Sequence, residues 1–295
     1  MQSVDGIGPT NVVAMKHSEY GSVPYFGLGT YKARDDQCIG AVCEALKAGY
    51  RLVDTASAYK NEHLVAEGIK LSGVPREEIF ITTKLSMGHQ GEEKARQCVM
   101  QSLEQLQTTY VDLFLIHWPG AKKTQPTDPK NMELRHGSWR ALQALQQEGK
   151  IRHIGVSNFN IRHLEALISS EGFLQMPLVN QVEFHPFCQQ QELLEYCSSR
   201  GISLQAYASM GQGSADLVEH AVIQSVAAKH RKSAHQILLK WGIQKGVPVI
   251  PKSVSQERIQ HNANVFDFEL DLNDMAMIAD LDINHHFCWD SSNVY

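Results

Sequence analysis

The sequence predicts a single (β/α)8 barrel, and three observations carry that prediction. Apolar, β-branched runs alternate with helical patterns eight times between residues 26 and 281. The runs are nearly continuous in hydrophobicity, as strands are when helices cover both faces of a parallel sheet. No linker, internal repeat or low-complexity stretch interrupts the order, and 295 residues at 43% hydrophobic content can fill one such barrel.

Taken in order, residues 9–28 hold two short apolar segments around Tyr20-Gly21-Ser22 and read as a hairpin preceding the barrel. Strand 26–29 precedes a helix at 35–48, whose Cys38, Val42, Ala45 and Leu46 share one face. Strand 51–56 precedes helix 62–71, and strand 79–84 precedes helix 92–106. Strand 111–117 leads to helix 138–147 through a loop, 119–137, that contains Pro126 and Pro129. The remaining pairs are 153–157 with 162–169, 178–184 with 190–199, 202–206 with helical stretches over 215–245, and 247–250 with 256–264, before a last helix at 272–281. Long loops that stay ordered usually carry function, so 119–137 is read as a substrate-site loop. Trp139 and Trp241 fall at helical spacing and are expected in the core.

Composition narrows the function. With 32 acidic and 27 basic side chains the net charge is −5, which argues against nucleic acid or a membrane surface as the main partner. Residues 1–6 lack a basic and apolar leader pattern, and no apolar run approaches the length that spans a bilayer, so a cytoplasmic protein is expected. The six cysteines, Cys38, Cys43, Cys98, Cys188, Cys197 and Cys288, lack CxxC spacing. Reduced thiols are therefore expected, with no disulfide framework and no metal site.

Three strand exits supply the chemistry. The first strand of interest empties into a loop with Tyr59 five residues after Asp54; the next ends on Lys84, and the next on His117. Adjacent parallel strands would bring these four to one edge of the sheet, the carboxyl end where barrels of this kind hold their active sites. A tyrosine hydroxyl, with an ordinary pKa of about 10, donates a proton readily only when a nearby cation stabilises the phenolate, and Lys84 is the candidate cation. Singly, each residue has an ordinary explanation: Asp54 as a turn cap, Lys84 as a solvated strand end, His117 as a core imidazole, Tyr59 as loop cover. Their joint occurrence at successive strand ends favours a proton-transfer site.

The chain resembles the aldo-keto reductases. The resemblance is carried by Gly-Tyr-Arg-Leu-Val-Asp-Thr-Ala-Ser-Ala-Tyr at 49–59, Thr-Lys-Leu at 83–85, Ile-His-Trp-Pro at 116–119, Gly-Val-Ser-Asn-Phe at 155–159, Asn-Gln-Val-Glu-Phe-His-Pro at 180–186 and Ile-Pro-Lys-Ser at 250–253. It implies reduction of aldehydes and ketones to alcohols by hydride transfer from NADPH, with the cofactor supplying the hydride and the protein its position. In that reading Tyr59 protonates the nascent alkoxide, Lys84 lowers the tyrosine's pKa, Asp54 anchors Lys84, and His117 orients the carbonyl oxygen. Thr30 and Asp54 would reach the nicotinamide ribose, Ser157, Asn158 and Gln181 the carboxamide, and Tyr207 the ring face. Tyr31, His117 and Trp118 would line the substrate pocket, with Trp289 and the tail 282–295 covering it. Such aromatic walls suit apolar aldehydes and ketones without choosing among them. The family is mostly monomeric, so a monomer is expected.

The cofactor site does not follow the Rossmann pattern, since Gly27-Leu28-Gly29 is followed by Thr30-Tyr31 rather than by GxGxxG spacing. Instead Lys252, Ser253 and Arg258 precede or open a helix. Two cations at a helix N-terminus suit the 2′-phosphate that distinguishes NADPH (NADP+ when oxidised) from NADH. Asn262 would reach the adenine. Three positions depart from the family pattern: His261, which leaves the adenine contacts open, Ala66 in the second helix, and Ala208-Ser209-Met210-Gly211 after Tyr207, which bears on loop rigidity. Two rival readings remain, an NADPH-binding barrel with a regulatory role and a cofactor-free hydrolase or isomerase using Asp54 and His117.

Overall fold

Seven parallel strands pair in sequence order, β1 to β7, in the computed structural model, which describes residues 23–295. They are β1 (Leu28–Gly29), β2 (Leu52–Asp54), β3 (Phe80–Leu85), β4 (Val111–Ile116), β5 (Ile151–Ser157), β6 (Val179–Glu183) and β7 (Ser203–Tyr207). The helices between them are α1 (Asp35–Lys47), α2 (Glu62–Ser72), α3 (Glu92–Gln105), α4 (Lys130–Gln147), α5 (Ile161–Ile168) and α6 (Gln191–Ser198). After β7 come α7 (Ala215–Val218), α8 (Ala221–His230), α9 (Ala234–Gln244), α10 (Gln256–Ala263) and α11 (Leu272–Ala279). Of the hairpin expected over 9–28, residues 9–22 lie outside the described residues.

The eighth strand, expected at 247–250, does not form as a regular strand. Its segment still closes the barrel. On one side the Ala206 N–H donates to Pro248 O at 2.7 Å and Ile250 N–H to Ala206 O at 3.3 Å; on the other, Val249 N–H donates to Tyr25 O at 2.9 Å and Gly29 N–H to Pro251 O at 3.0 Å. Pro248 and Pro251 lack the N–H groups that a continuous ladder needs, which breaks the pairing into isolated bridges. The chain passes close here: a β-carbon on Gly29 would lie 2.7 Å from Ile250 O. Packing at the barrel seam, rather than a phosphate, explains that glycine.

Helix α4 begins at Lys130, eight residues before the expected 138, so the long loop is shorter than 119–137. The signal was present in the sequence as Asp128-Pro129. Asp128 Oδ1 accepts from Lys130 N–H at 2.9 Å, and proline is favoured where a helix starts because the missing N–H costs nothing there. Buried Asn131 folds the loop back onto the helix, accepting from Ala121 N–H at 2.9 Å and donating to Gln125 O at 2.8 Å.

Two cores result. A large one lies between sheet and helices and takes in Trp139 and Trp241, both buried as expected. A smaller one fills the barrel interior with Val23, Leu52, Phe80, Leu113, Leu115, Val179 and Ile250. Side chains alternate along each strand, so the inward face of β2 reads Leu52 then Asp54, and that of β3 reads Phe80, Thr82, Lys84. The apolar floor thus gives way to polar groups at the carboxyl end. No helix among the described residues is long and apolar enough to cross a membrane.

Candidate active site

Adjacent strands set the polar residues side by side. Register places Asp54 of β2 beside Thr82 of β3, Lys84 beside Leu115 of β4, and Ser157 of β5 beside Gln181 of β6. Lys84 is fully buried, and its Nζ donates to Asp54 Oδ1 at 2.6 Å and to Thr55 O at 2.9 Å. Burial draws the Lys84 ammonium below its ordinary range, against the pull of the Asp54 carboxylate. The second carboxylate oxygen of Asp54 accepts from Gln181 Nε2 at 2.8 Å, and the same nitrogen donates to Gln205 Oε1 at 2.8 Å.

Tyr59 arrives from the loop after β2. A short 3-10 turn, Ser57–Tyr59, ends on Lys60 in the left-handed region at φ 60°, and Ser57 Oγ donates to Lys84 O at 2.8 Å, tying the turn to β3. Lys84 Nζ lies 5.2 Å from the Tyr59 ring centroid. His117 stands edge-on to the same ring at 5.6 Å, and Tyr31 lies 5.1 Å away on another side. The four residues expected at one sheet edge are therefore brought together.

The electrostatics differ from expectation in one respect. Burial, then the Asp54 carboxylate, pushes the Tyr59 hydroxyl well above its ordinary range, whereas the sequence reading had Lys84 lowering it. The Asp54 carboxylate, 2.6 Å from the ammonium, offsets part of its field at the phenol. Burial, then the charge of Lys84, lowers His117 to about 3. Near neutral pH the site thus presents a protonated phenol and a neutral imidazole, two hydrogen-bond donors beside one buried ion pair.

The residues expected around a cofactor divide into two groups. Thr30, Ser157, Asn158, Gln181 and Tyr207 join the tetrad. Thr30 Oγ1 donates to Asp54 O at 2.9 Å, Tyr207 donates to Asn158 Oδ1 at 2.7 Å, and Asn158 Nδ2 donates to His117 O at 2.9 Å. Asn158 sits at φ 64°, a left-handed conformation that asparagine tolerates better than most residues. Ser157 Oγ donates to Gln181 O at 2.8 Å. Ser253, Arg258 and Asn262 sit apart, on α10 and the turn before it, while Lys252 is bridged to Gly29 at the barrel seam. Lys252 and Arg258 are exposed, and among the described residues neither has an acidic partner.

Trp118 and Trp289 meet edge to face at 6.5 Å, which brings the tail to the loop after β4. Trp289 is 81% exposed, so it edges the opening and does not seal it.

Comparison with known proteins decides the family. Residues 25–283 match the model of the aldo/keto reductase family. The chain belongs to that family. It is 47% identical over 257 residues to the glyoxal reductase of Bacillus subtilis (strain 168), covering 87% of this chain and 88% of that protein. It is 39% identical over 260 residues to the methylglyoxal reductase DkgA of Salmonella typhimurium, covering 88% and 90%. Among solved structures, an aldo-keto reductase from a Medee basin deep-sea metagenome library superposes with a TM-score of 0.86 at 40% identity, covering 93% of this chain and 97% of that one.

In this aldo-keto reductase some polar groups of the site escaped the sequence reading. Asn61 is buried and bridges three segments, accepting from Thr55 Oγ1 at 2.7 Å and donating to Thr30 O at 2.9 Å and Ala33 O at 3.1 Å. Glu62 accepts from Thr83 Oγ1 at 2.6 Å behind Lys84. Gln205 and Glu183 lie on the inward parity of β7 and β6, a period-two signal that was there to be read.

Proposed function

We propose that this chain is an NADPH-dependent carbonyl reductase that converts small aldehydes and ketones, dicarbonyls such as glyoxal and methylglyoxal among them, to alcohols, with Tyr59 as proton donor. The observation that carries the reading is the buried Lys84 and Asp54 pair at 2.6 Å with the Tyr59 ring 5.2 Å from the ammonium and His117 against the same ring. A reduced nicotinamide, when bound, supplies the hydride. The chain supplies the rest. Neutral His117 donates to the carbonyl oxygen and orients it; as the carbonyl carbon gains the hydride, its π pair moves to oxygen, which takes the Tyr59 proton. The phenolate left behind faces the Lys84 ammonium, which stabilises that state more than the starting phenol.

Two observations support the cofactor. Lys252 and Arg258 flank the start of α10 without acidic partners among the described residues, which suits a phosphate. Gln181 Oε1 has no donor among the described residues and is an acceptor available to a carboxamide NH2, beside Ser157 and Asn158. Tyr31, Trp118 and Trp289, with the loop that ends at Pro129 and the tail 282–295, form the substrate wall. Six free thiols fit a reducing cytoplasm.

The test is the loss of NADPH absorbance with glyoxal, methylglyoxal and aromatic aldehydes, run beside Arg258→Ala. Turnover is expected in the wild type, with the NADPH-to-NADH preference falling at least about tenfold in the variant, the worth of one charge-assisted hydrogen bond. Tight NADPH binding with no turnover on any of them would favour the regulatory-barrel reading instead.

A further inference from the structure

Glu183 is a buried carboxylate that the proposed chemistry does not use. It lies at the carboxyl end of β6, on the inward face, in register with Tyr207. Four donors converge on it. His185 Nε2 and His286 Nδ1 each lie 3.0 Å from one of its oxygens, Phe287 N–H donates at 2.7 Å and Cys288 N–H at 3.3 Å. Three of the four come from the tail after α11. Burial alone would raise this carboxyl; the bonds from His185, Phe287 and His286 hold it below its ordinary range, so it stays ionised and its donors stay engaged.

From that pin the tail reaches in two directions. Toward the loop after β7, Gln212 Nε2 donates to Phe287 O at 2.9 Å and to Cys288 Sγ at 3.0 Å. The Phe287 ring packs so closely there that a β-carbon on Gly211, at φ 56°, would meet it at 2.8 Å. Toward the opposite wall, Trp289 meets Trp118, and Ser291 Oγ donates to Asn158 O at 2.7 Å. Within five residues, 287–291, one strand of tail contacts the loops after β7, β4 and β5.

We propose that Glu183 is a positioning residue whose grip on residues 286–288 makes the tail a strap joining the cofactor-side loop after β7 to the substrate wall at Trp118 and Trp289, so that cofactor and carbonyl substrate bind with positive coupling. This rests on the NADPH reductase reading above. A ligand that orders the loop at 208–214 also orders the strap through Gln212, and the next ligand then meets a wall already in place. Coupling between two sites is reciprocal, so loosening the strap weakens each ligand's hold on the other by the same factor. A merely structural Glu183 would hold the tail without transmitting anything.

Hydrogen exchange on the full-length wild type, with and without NADP+, is the test, repeated on Gln212→Ala, whose side chain is exposed and outside the core. NADP+ is expected to slow exchange at 285–290 about tenfold along with 208–214, and in Gln212→Ala only 208–214 should keep its protection. Glu183→Gln should weaken, by a similar factor of about ten, both the tightening of NADP+ binding by saturating methylglyoxal and the tightening of methylglyoxal binding by NADP+, read at equilibrium, while leaving the chemical step in single turnover unchanged. Protection of 208–214 by NADP+ with 285–290 unchanged in the wild type would overturn the strap and leave the reductase reading standing. No response to NADP+ in any segment would overturn both.

Discussion

The barrel interior is two materials stacked on the same strands. Its floor, Leu52, Phe80, Leu113, Leu115, Val179 and Ile250, is held by filled volume, each side chain contributing about 1.5–3 kcal/mol by leaving water. Its rim, Asp54, Thr82, Lys84, Ser157, Gln181 and Gln205, is equally buried but held mainly by partners: Asp54, Lys84, Ser157 and Gln181 are each met by another polar group. The rim is not fully satisfied. Thr82 Oγ1, Ser203 Oγ and Gln205 Nε2 have no hydrogen-bond partner among the described residues. A shift of two residues along one strand therefore changes what a mutation does. In the floor it should cost stability and spare chemistry; in the rim it should cost both, or chemistry alone.

Asp54→Ala should break this contrast most strongly. It leaves the Lys84 ammonium buried and unpaired, which costs about 3–5 kcal/mol of stability as well as activity. Urea unfolding and aldehyde turnover, measured together, check both losses. Leu113→Ala sharpens the other side: a stability loss of about 2–5 kcal/mol in the same unfolding experiment, with kcat per folded molecule near wild type. A variant of Leu113 that lost activity without losing stability would erase the distinction between the two layers.

The pH dependence probes the same burial without a mutation. Burial, with Lys84 second, holds His117 at about 3, and burial holds His163 at about 4. Both imidazoles take a proton in the unfolded chain below about pH 6.5 that they refuse when folded. Stability is therefore complete above about pH 6.5 and is lost as the pH falls toward those two values, by up to about 1.4 kcal/mol per pH unit per group. Unfolding free energies at about pH 7 and about pH 5 should show this slope, and His163→Gln should reduce it.

How much was legible follows from the same contrast. The strands could be read because burial on both faces leaves a continuous apolar signal, and Asp54, Lys84 and His117 could be read because each is the ionisable residue on which such a run ends. The eighth strand misled because hydrophobicity does not report the missing N–H groups of Pro248 and Pro251. The start of α4 was missed because Asp128-Pro129 looks like loop until its capping bond to Lys130 is seen. Asn61 and Gln205 belong to no motif quoted above, and Glu183 was read only as part of one. Much of their importance comes from partners distant in the chain, such as Gln181 for Gln205, 24 positions away, and Cys288 for Glu183, 105 positions away. The direction of the Tyr59 shift was equally hidden, since it depends first on how deeply the fold buries the hydroxyl and then on the Asp54 carboxylate beside it.

Tyr59→Phe tests the central claim most directly. It removes one oxygen from the rim and leaves the ion pair and the floor intact. Single-turnover reduction of methylglyoxal should slow by about 10²–10⁴, the usual worth of a positioned general acid, with NADPH affinity and unfolding free energy near wild type. Near wild-type reduction by Tyr59→Phe with unchanged cofactor affinity would contradict the assignment of Tyr59 as the proton donor.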